Sequence, residues 1–245
     1  MAESEFFRRF IHCFQSTATS NVSAVYKADA AMELRVNIIC YGLGSFSKSL
    51  SAMHQLALLC ATMRHLEAGE SSFSLNRSEL FEPILTENEQ KVLKALGLDV
   101  LSTDSKGHYL MDGAPNVITF CLMPHCPRML YNNLLATNWP HRRSFYKLFI
   151  FGNSFNEYDG LSIGSDPKDP LHRQSRWIRM VNELDIVRET DIEQWIHCKE
   201  DMDSLQRERA AIASNAFAFQ KLMHFTTTST LTRSLGTQAV RKERK

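Results

Sequence analysis

The chain has 245 residues, of which 44% are hydrophobic, and its formal net charge at pH 7 is +1. This length suffices for one sizeable hydrophobic core, and the near-zero charge does not indicate a nucleic-acid partner. No apolar run reaches the roughly 18 residues that a membrane span needs, and the acidic start MAESEFFRRF differs from a signal peptide. We therefore expect a cytoplasmic protein, and entry into the nucleus stays open.

The first predicted element is an amphipathic helix over residues 4–15. Five apolar residues recur there at helical spacing, namely Phe6, Phe7, Phe10, Ile11 and Phe14. The polar stretch QSTATSNVSAVYKAD that follows is typical of a linker. Residues 1–30 are therefore expected to form an N-terminal helix and linker, ahead of a main domain over residues 31–165.

A strand, a glycine turn and a helix are predicted to open the main domain. The segment Arg35–Tyr41 is short, rich in β-branched residues and stopped by Gly42, which indicates a buried strand. A helix is predicted from Ser47 to Leu66, with Gly69 at its C-terminal cap.

The same alternation of strand and helix continues along the chain. Further strands are predicted at SELFEPIL, ending near Glu82, and at LDVLSTD, NVITFCLM and FYKLFIF. Between them, the capping-box pair Thr86 and Glu89 starts one helix, and Pro127 lies at the N1 position of another that Pro140 closes. Apolar strands that alternate with helices predict an α/β, Rossmann-like three-layer fold with a mostly parallel sheet of about five strands.

The last third of the chain has a different character. Residues 167–182, 189–199 and 203–225 show helical spacing of apolar side chains. We therefore expect C-terminal helices, packed on or beside the main domain, over residues 166–235. The basic residues 236–245 are predicted to be a disordered tail.

Four sequence blocks stand in an order that resembles the "sensitivity to red light reduced" family. They are CYGLGSFSKSLSAMHQLALL, FEPILTENE, MPHCPRMLYNNLLATNW and IFGNSF, within roughly residues 35–160. The resemblance implies a regulator of circadian-clock input, connected in animals with haem biosynthesis and clock-gene expression, and no established reaction or cofactor. The chain departs from the family pattern at Glu82, where family members usually carry Asp.

Polar residues follow four of the predicted strands at their carboxyl ends. In an open parallel sheet, ligands bind outside these ends, near the switch in strand order. We therefore expect one ligand-binding crevice, formed by Gly42, Gly44, Ser45, Ser47, Glu82, His125, Cys126, Asn153 and Ser154.

The turn GLGS is either a ligand cradle or a purely structural turn. Gly42 and Gly44 permit close approach, a helix N-terminus attracts anions, and Glu82 is placed to accept hydrogen bonds from a ribose. Against the cradle, Ser47 replaces the third glycine of G-x-G-x-x-G. Glu82 also follows the turn by roughly forty residues, whereas the dinucleotide pattern has its acid after about twenty. Both interpretations stay open, and the structural turn is favoured.

The segment MPHCP places His125 and Cys126 between a strand and a helix. A thiol at a helix N-terminus has a lowered pKa. Three chemical roles follow: a nucleophile with its base, a pair of zinc ligands, or a thiolate ligand of haem iron. The structural alternative, in which Cys126 caps the helix and His125 is hydrogen-bonded in a tight turn, is favoured over any single chemical role. No metal site is predicted, and haem ligation by Cys126 is the narrower hypothesis.

The resemblance, together with the lack of a complete catalytic constellation, implies a non-catalytic regulatory protein that acts in clock input and haem homeostasis. It would act through protein partners or through a small ligand in the crevice. The alternative is a Rossmann-like enzyme, with S-adenosylmethionine-dependent methyl transfer as the reaction considered. The cofactor is unknown, with a nucleotide-like ligand and haem as the two hypotheses. Nothing indicates direct binding to nucleic acid or to a membrane.

Overall fold

A computed structural model describes residues 4–26, 32–69, 71–160, 173–192, 217 and 220–226. The strands are β1 Leu34–Tyr41, β2 Phe73–Phe81, β3 Asp99–Val100, β4 Val117–Met123, β5 Leu148–Asn153, β6 Val187–Asp191 and β7 Gln220–Phe225. They form one seven-stranded sheet in the order β3-β2-β1-β4-β5-β7-β6. Strands β1 to β5 are parallel, and β7 runs antiparallel to both β5 and β6. The predicted α/β fold with a mostly parallel sheet is confirmed, with two strands more than the roughly five predicted.

Helices cover both faces of the sheet, which gives the predicted three layers. The described α-helices are α1 Glu5–Tyr26, α2 Leu50–Glu67, α3 Glu87–Ala95, α4 Arg128–Asn138, α5 Phe155–Gly160 and α6 Arg176–Glu183, and a 3₁₀ segment, Trp139–Lys147, follows α4. Side chains of α1, α2 and α3 pack in one hydrophobic cluster, and those of α4 and α6 pack in the other. Among these helices, none has the length and apolar character needed to cross a membrane.

Strand β1 lies at the centre of the sheet and is buried on both faces. Ile38 and Cys40 belong to the cluster with α1 and α2, whereas Ile39 and Tyr41 belong to the cluster with α4. All four side chains are at most 2% exposed. Because successive side chains of a strand point to opposite faces, burial on both faces requires a continuous apolar run. The segment RVNIICY therefore shows little alternation and was correctly predicted to be a buried strand.

Helix α1 is longer than predicted. The sequence indicated a shorter helix followed by a linker, but the helix continues through that polar stretch to Tyr26. Its apolar seam extends through Ala18 and Val22, which are at most 2% exposed. Asn21 adds a tertiary contact, because its Nδ2 donates to the carbonyl of Phe225 in β7 at 3.0 Å. Packing therefore overrides the weak helix propensity of the serines and threonines.

The C-terminal part of the sheet differs from the prediction. Helices were expected over residues 189–199 and 203–225, whereas Val187–Asp191 and Gln220–Phe225 are strands β6 and β7. The prediction is wrong for these residues, because β7 pairs with β5 and β6 pairs with β7, and this pairing overrides the helical spacing of the apolar residues. Helix α6 overlaps the predicted helix 167–182 and ends one residue beyond it. The remainder of the predicted helices and the predicted tail lie outside the described residues.

Local sequence signals set the starts of α3 and α4. Thr86 Oγ1 accepts from Glu89 N–H at 3.3 Å, and the Glu89 carboxylate accepts from Thr86 N–H at 2.9 Å, so the predicted capping box is confirmed. Pro127 is the N-cap of α4, one position before the predicted N1. Pro140 does not end the helical path but lies in the first turn of the 3₁₀ segment.

Candidate functional site

The predicted crevice residues lie at one rim of the sheet, where β1, β2, β4 and β5 end. Gly44 N–H donates to Glu82 Oε2 at 2.8 Å, which links the ends of β1 and β2. Asn153 Nδ2 donates to the Cys126 carbonyl at 3.2 Å, which links the ends of β4 and β5. Gly42 has φ +68°, and a Cβ there would stand 2.7 Å from Cys126 Sγ. The structure thus brings these residues together, and ligand binding by them stays a prediction.

In the glycine turn between β1 and α2, two backbone N–H groups donate to carboxylates of the same chain. Glu82 Oε2 accepts a hydrogen bond from the Gly44 N–H, and Glu89 Oε1 accepts one from the Ser47 N–H at 3.0 Å. Ser45 Oγ donates to the same oxygen of Glu89 at 2.7 Å. Gly44 has φ +78°, a left-handed conformation that glycine adopts without strain. The turn has the shape of a cradle, but carboxylates of the chain occupy two of its backbone donors.

Glu89 holds the glycine turn and α3 together. Its side chain is only 3% exposed, and its Oε2 accepts from both the N–H and the hydroxyl of Thr86 at 2.9 Å. Hydrogen bonds, first from the Ser47 N–H and then from the Thr86 N–H, hold the pKa of the Glu89 carboxyl well below its ordinary 4.5. The capping-box pattern predicted the helix start, but it did not indicate the bonds from Glu89 to the turn.

Helix α2 begins later than predicted, at Leu50 and not at Ser47. Ser49 is its N-cap, and the Ser49 hydroxyl accepts from the Ala52 N–H at 3.3 Å. A separate turn over residues 46–48 lies between the glycines and the helix. This arrangement differs from phosphate-binding loops, in which the helix N-terminus opens directly on the ligand.

The thiol of Cys126 is buried. Its side chain is 2% exposed, and its Sγ donates to the Tyr41 carbonyl at 3.4 Å. Burial, and secondly the negative charge of Glu82, raises the pKa of Cys126 to about 12. The expectation of a lowered pKa is therefore wrong, because desolvation against β1 outweighs any effect of the nearby helix. A buried, protonated thiol favours the structural role over nucleophilic, zinc-ligand or haem-ligand chemistry.

His125 has an unusual backbone at the end of β4. Its φ is +53°, a left-handed conformation that is uncommon outside glycine, and its side chain is exposed. Its Nδ1 lies 3.4 Å from Gln220 Nε2, and Gln220 donates to Asn153 Oδ1 at 2.8 Å. Strand β7 therefore contributes to the rim, which the sequence did not indicate because this segment was expected to be helical.

Two tyrosines that the sequence did not single out complete the hydrogen bonding between β4 and β5. The Tyr131 hydroxyl donates to the Met123 carbonyl and accepts from the Asn153 N–H at 2.9 Å. The Tyr158 hydroxyl donates to the Cys126 carbonyl at 2.8 Å. Tyr131 lies on α4 and Tyr158 lies on α5, the helices that follow β4 and β5. The spacing of apolar residues in these helices predicts which side chains pack against the sheet, but it does not predict the hydrogen bonds of the two hydroxyls.

Ser154 caps α5 and is tied to β6. Its Oγ accepts from the Glu157 N–H at 3.1 Å and donates to Glu189 Oε2 at 2.6 Å. Glu189 Oε1 also accepts from the Phe155 N–H at 2.6 Å. A third carboxylate of the chain thus fills backbone donors at the rim. No sequence signal pointed to Glu189, since its role depends on a strand that was not predicted.

Exposed apolar side chains surround this hydrogen-bonded rim. Leu50 and Met53 in the first turn of α2 are 54% and 46% exposed. Ile84, which follows β2, is 63% exposed, and Met129 in the first turn of α4 is 38% exposed. These four residues are called the apolar rim below. Among the described residues, no group of three or more His, Cys, Asp or Glu side chains could hold a metal ion.

A comparison with solved structures finds only a distant likeness. The chain is similar to the plantazolicin methyltransferase BpumL, solved with a monoazolic desmethylPZN analog and SAH, at a TM-score of 0.34 and 14% identity. The similarity covers 92% of this chain and 86% of that one. A likeness this distant carries no argument about function.

Curated relatives give a closer match. The chain is 34% identical to the SRR1-like protein of Mus musculus over 133 residues, which are 54% of this chain and 50% of the mouse protein. It is 30% identical to the Protein SENSITIVITY TO RED LIGHT REDUCED 1 of Arabidopsis thaliana over 156 residues, 64% of this chain and 52% of that protein. The chain therefore spans about half the length of the curated relatives it matches.

The family model of the SRR1 domain matches residues 15–226. This match extends from α1 to the end of β7 and covers most of the chain. It confirms the resemblance that the four sequence blocks carried. The chain belongs to the SRR1 domain family.

Proposed function

We propose that this chain is a regulatory protein that acts through a protein partner, in circadian-clock input and in the regulation of haem biosynthesis and clock-gene expression. One observation carries the proposal: Glu82, Glu89 and Glu189 occupy backbone donors at the rim, while the apolar rim is exposed. The name of the Arabidopsis relative, which refers to sensitivity to red light, supports a role in responses to light.

Energetics favour a protein partner over an anionic small ligand at the glycine turn. An anion there would have to displace Glu82 and Glu89, and hydrogen bonds to charged groups contribute about 1.5–3 kcal/mol each. Two displaced carboxylates would also repel the incoming charge. A partner that covers Met53 and Ile84 needs no such rearrangement, and burying one large apolar side chain contributes about 1.5–3 kcal/mol.

Replacing Met53 and Ile84 together with Asp is expected to abolish the regulatory effect while the protein stays folded. Both side chains are exposed, so the cost in folding free energy should stay within about 0.5 kcal/mol per site. The measurement is the period of a clock reporter in mouse cells that lack the SRR1-like relative, complemented at matched protein levels. Val92→Asp is the control, because Val92 is 47% exposed but lies in the middle of α3.

Wild type and Val92→Asp should restore the period, and the double variant should not. If the double variant restores it equally well, the apolar rim is not the partner surface. If wild type restores neither the period nor haem synthesis, the proposed regulatory role itself fails.

A Rossmann-like, S-adenosylmethionine-dependent methyltransferase is the second candidate. The observation in its favour is that the strand order reverses between β1 and β4, beside Gly42 and Gly44, where doubly wound sheets bind nucleotides. In that case Glu82 would have to give up its hydrogen bond from the Gly44 N–H and accept one from a ribose hydroxyl instead. Binding of S-adenosylhomocysteine tests this candidate.

A further inference from the structure

Among the described residues, no strand pairs with the outer edge of β2 over its first half. Strand β3 pairs with β2 only at Glu79 and Leu80, whereas β1 pairs along the whole of β2. Residues Phe73–Arg77 therefore have no neighbouring strand on the β3 side within the described part of the chain. An unpaired strand edge is a template for pairing with another chain.

The backbone groups of Phe73 and Leu75 face this open side. Leu34 N–H donates to the Ser72 carbonyl at 2.8 Å, so Ser72 and the next alternate residue of β2 face β1. A parallel strand directs the backbone groups of alternate residues to opposite neighbours, which turns Phe73 and Leu75 outward. The Phe73 N–H accordingly finds a local acceptor, the Ser71 hydroxyl at 3.3 Å. The outward groups left for a partner strand are the Phe73 carbonyl and the N–H and carbonyl of Leu75.

A β-bulge ends the regular part of this edge. Val36 pairs with Leu75 and Asn37 pairs with Arg77, so Asn76 is the extra residue. Asn76 is anchored, because its Nδ2 donates to Asn37 Oδ1 at 2.6 Å. A bulge bends the strand and interrupts the ladder, which limits pairing to a short segment and discourages indiscriminate aggregation.

Two surface grooves flank the open edge. One, of about 370 Å³, lies at the start of β2 and is lined mainly by polar side chains, among them Gln15 and Ser71. The other, of about 380 Å³, lies along residues 75–79 of the strand, and its charged lining residues are Glu67, Arg77, Glu79 and Asp99. An extended peptide on the edge would place its side chains over both grooves.

Charge indicates which peptide fits. Arg77 Nε lies 3.4 Å from Glu79 Oε2, and its guanidinium stands 5.6 Å from the Tyr109 ring centroid, so the positive charge of Arg77 is already balanced. Glu67 and Asp99 are exposed and form no ion pair within the residues that the structure describes. The second groove therefore carries a net negative charge.

We propose that the open edge of β2 binds an extended basic segment of a partner protein by strand addition. The segment hydrogen-bonds to the outward groups of Phe73 and Leu75, and a Lys or Arg side chain reaches Glu67 and Asp99. This surface lies along residues 73–79 of β2 and includes none of the four residues of the apolar rim, so the proposal stands independently of the proposed function.

Amide hydrogen exchange with the capped hexapeptide VKVKVK tests the proposal directly. The Leu75 N–H faces outward and should exchange fast in the free protein. Saturation with the peptide should slow its exchange by about tenfold or more, since the amide becomes part of a strand ladder. The capped hexapeptide VEVEVE should leave the exchange of Leu75 unchanged.

Matched variants separate strand addition from general electrostatic attraction. Leu75→Pro removes the outward donor without touching a bond to β1, so it should weaken binding of VKVKVK by about tenfold or more. Glu67→Lys combined with Asp99→Lys should do the same. Glu183→Lys changes a carboxylate of α6 that is 61% exposed and should leave the affinity within about twofold.

Three results would overturn the proposal. They are no binding of VKVKVK, binding without protection of Leu75, and binding that survives Leu75→Pro or the double charge reversal. A concentration-dependent dimer in sedimentation that Leu75→Pro abolishes would instead assign the edge to a second copy of this chain.

Discussion

Gly152→Ala is expected to lower the free energy of unfolding by about 3 kcal/mol or more. A Cβ at this position would lie 2.5 Å from Tyr131 Oη and 2.8 Å from Tyr131 Cε1. Tyr131 is fully buried, and its hydroxyl bridges the Met123 carbonyl and the Asn153 N–H. The ring cannot move aside without leaving those buried groups unpaired, so the added methyl strains the junction between β4 and β5.

Thermal unfolding measures this effect, and a chain of this size should lose roughly 6–12 °C in Tm. Gly113→Ala is the matched control, because no atom stands within 4 Å of its added Cβ, and it should stay within about 0.5 kcal/mol. Combining Gly152→Ala with Tyr131→Phe should cost less than the sum of the single changes, since both act on one contact. A small effect of Gly152→Ala, equal to that of Gly113→Ala, would contradict the packing described here.

Glu89→Gln is expected to destabilise the protein by about 3 kcal/mol at neutral pH. The amide keeps the shape of the side chain, but its NH₂ group cannot accept the hydrogen bonds that a carboxylate oxygen receives from Ser47 or Thr86. Urea unfolding near pH 7 gives the value. Glu87→Gln, at an exposed position two residues before Glu89 on α3, should cost under about 1 kcal/mol through the helix dipole alone.

The contribution of Glu89 should also depend on pH in a defined direction. The pKa of Glu89 in the folded protein is below its ordinary 4.5. The stabilisation is therefore complete when the pH is above this ordinary value, and it declines as the pH falls from there toward the folded pKa. The difference between wild type and Glu89→Gln should therefore shrink on acidification from about pH 7 to about pH 3. A difference that is constant or grows over this range would show that the carboxylate is not held ionised by these bonds.

Local patterns predicted the elements whose structure depends on their own residues. The continuous apolar run before Gly42 predicts β1, and the pair Thr86 and Glu89 predicts the start of α3, because burial on both faces and helix capping are local requirements. The rule that ligands bind at the carboxyl ends of parallel strands predicted that Gly44, Glu82 and Cys126 would meet at one rim.

Long-range contacts account for what the sequence did not predict. The sequence around Glu89 does not predict its hydrogen bonds with Ser45 and Ser47, because these residues lie 44 and 42 positions away along the chain. The raised pKa of Cys126 follows from burial against β1, which depends on how two strands pack. Strand β7 pairs with the edge of β5 and β6 pairs with β7, and the helical spacing in their sequence carries no information about these pairings.

The central claim is that Glu82 and Glu89 occupy backbone donors of the glycine turn, so that the turn does not bind an anionic ligand. Thermal unfolding in the presence of ligands tests this claim most directly. The purified protein would be heated with S-adenosylhomocysteine, NAD, ATP or haem, each in large excess. A ligand at a hundredfold excess over its Kd adds about 2.7 kcal/mol, which is roughly 5–11 °C in Tm for this size of chain. The account predicts no shift with any of the four. A shift with S-adenosylhomocysteine that Gly44→Asp removes would contradict it and establish the turn as a cradle.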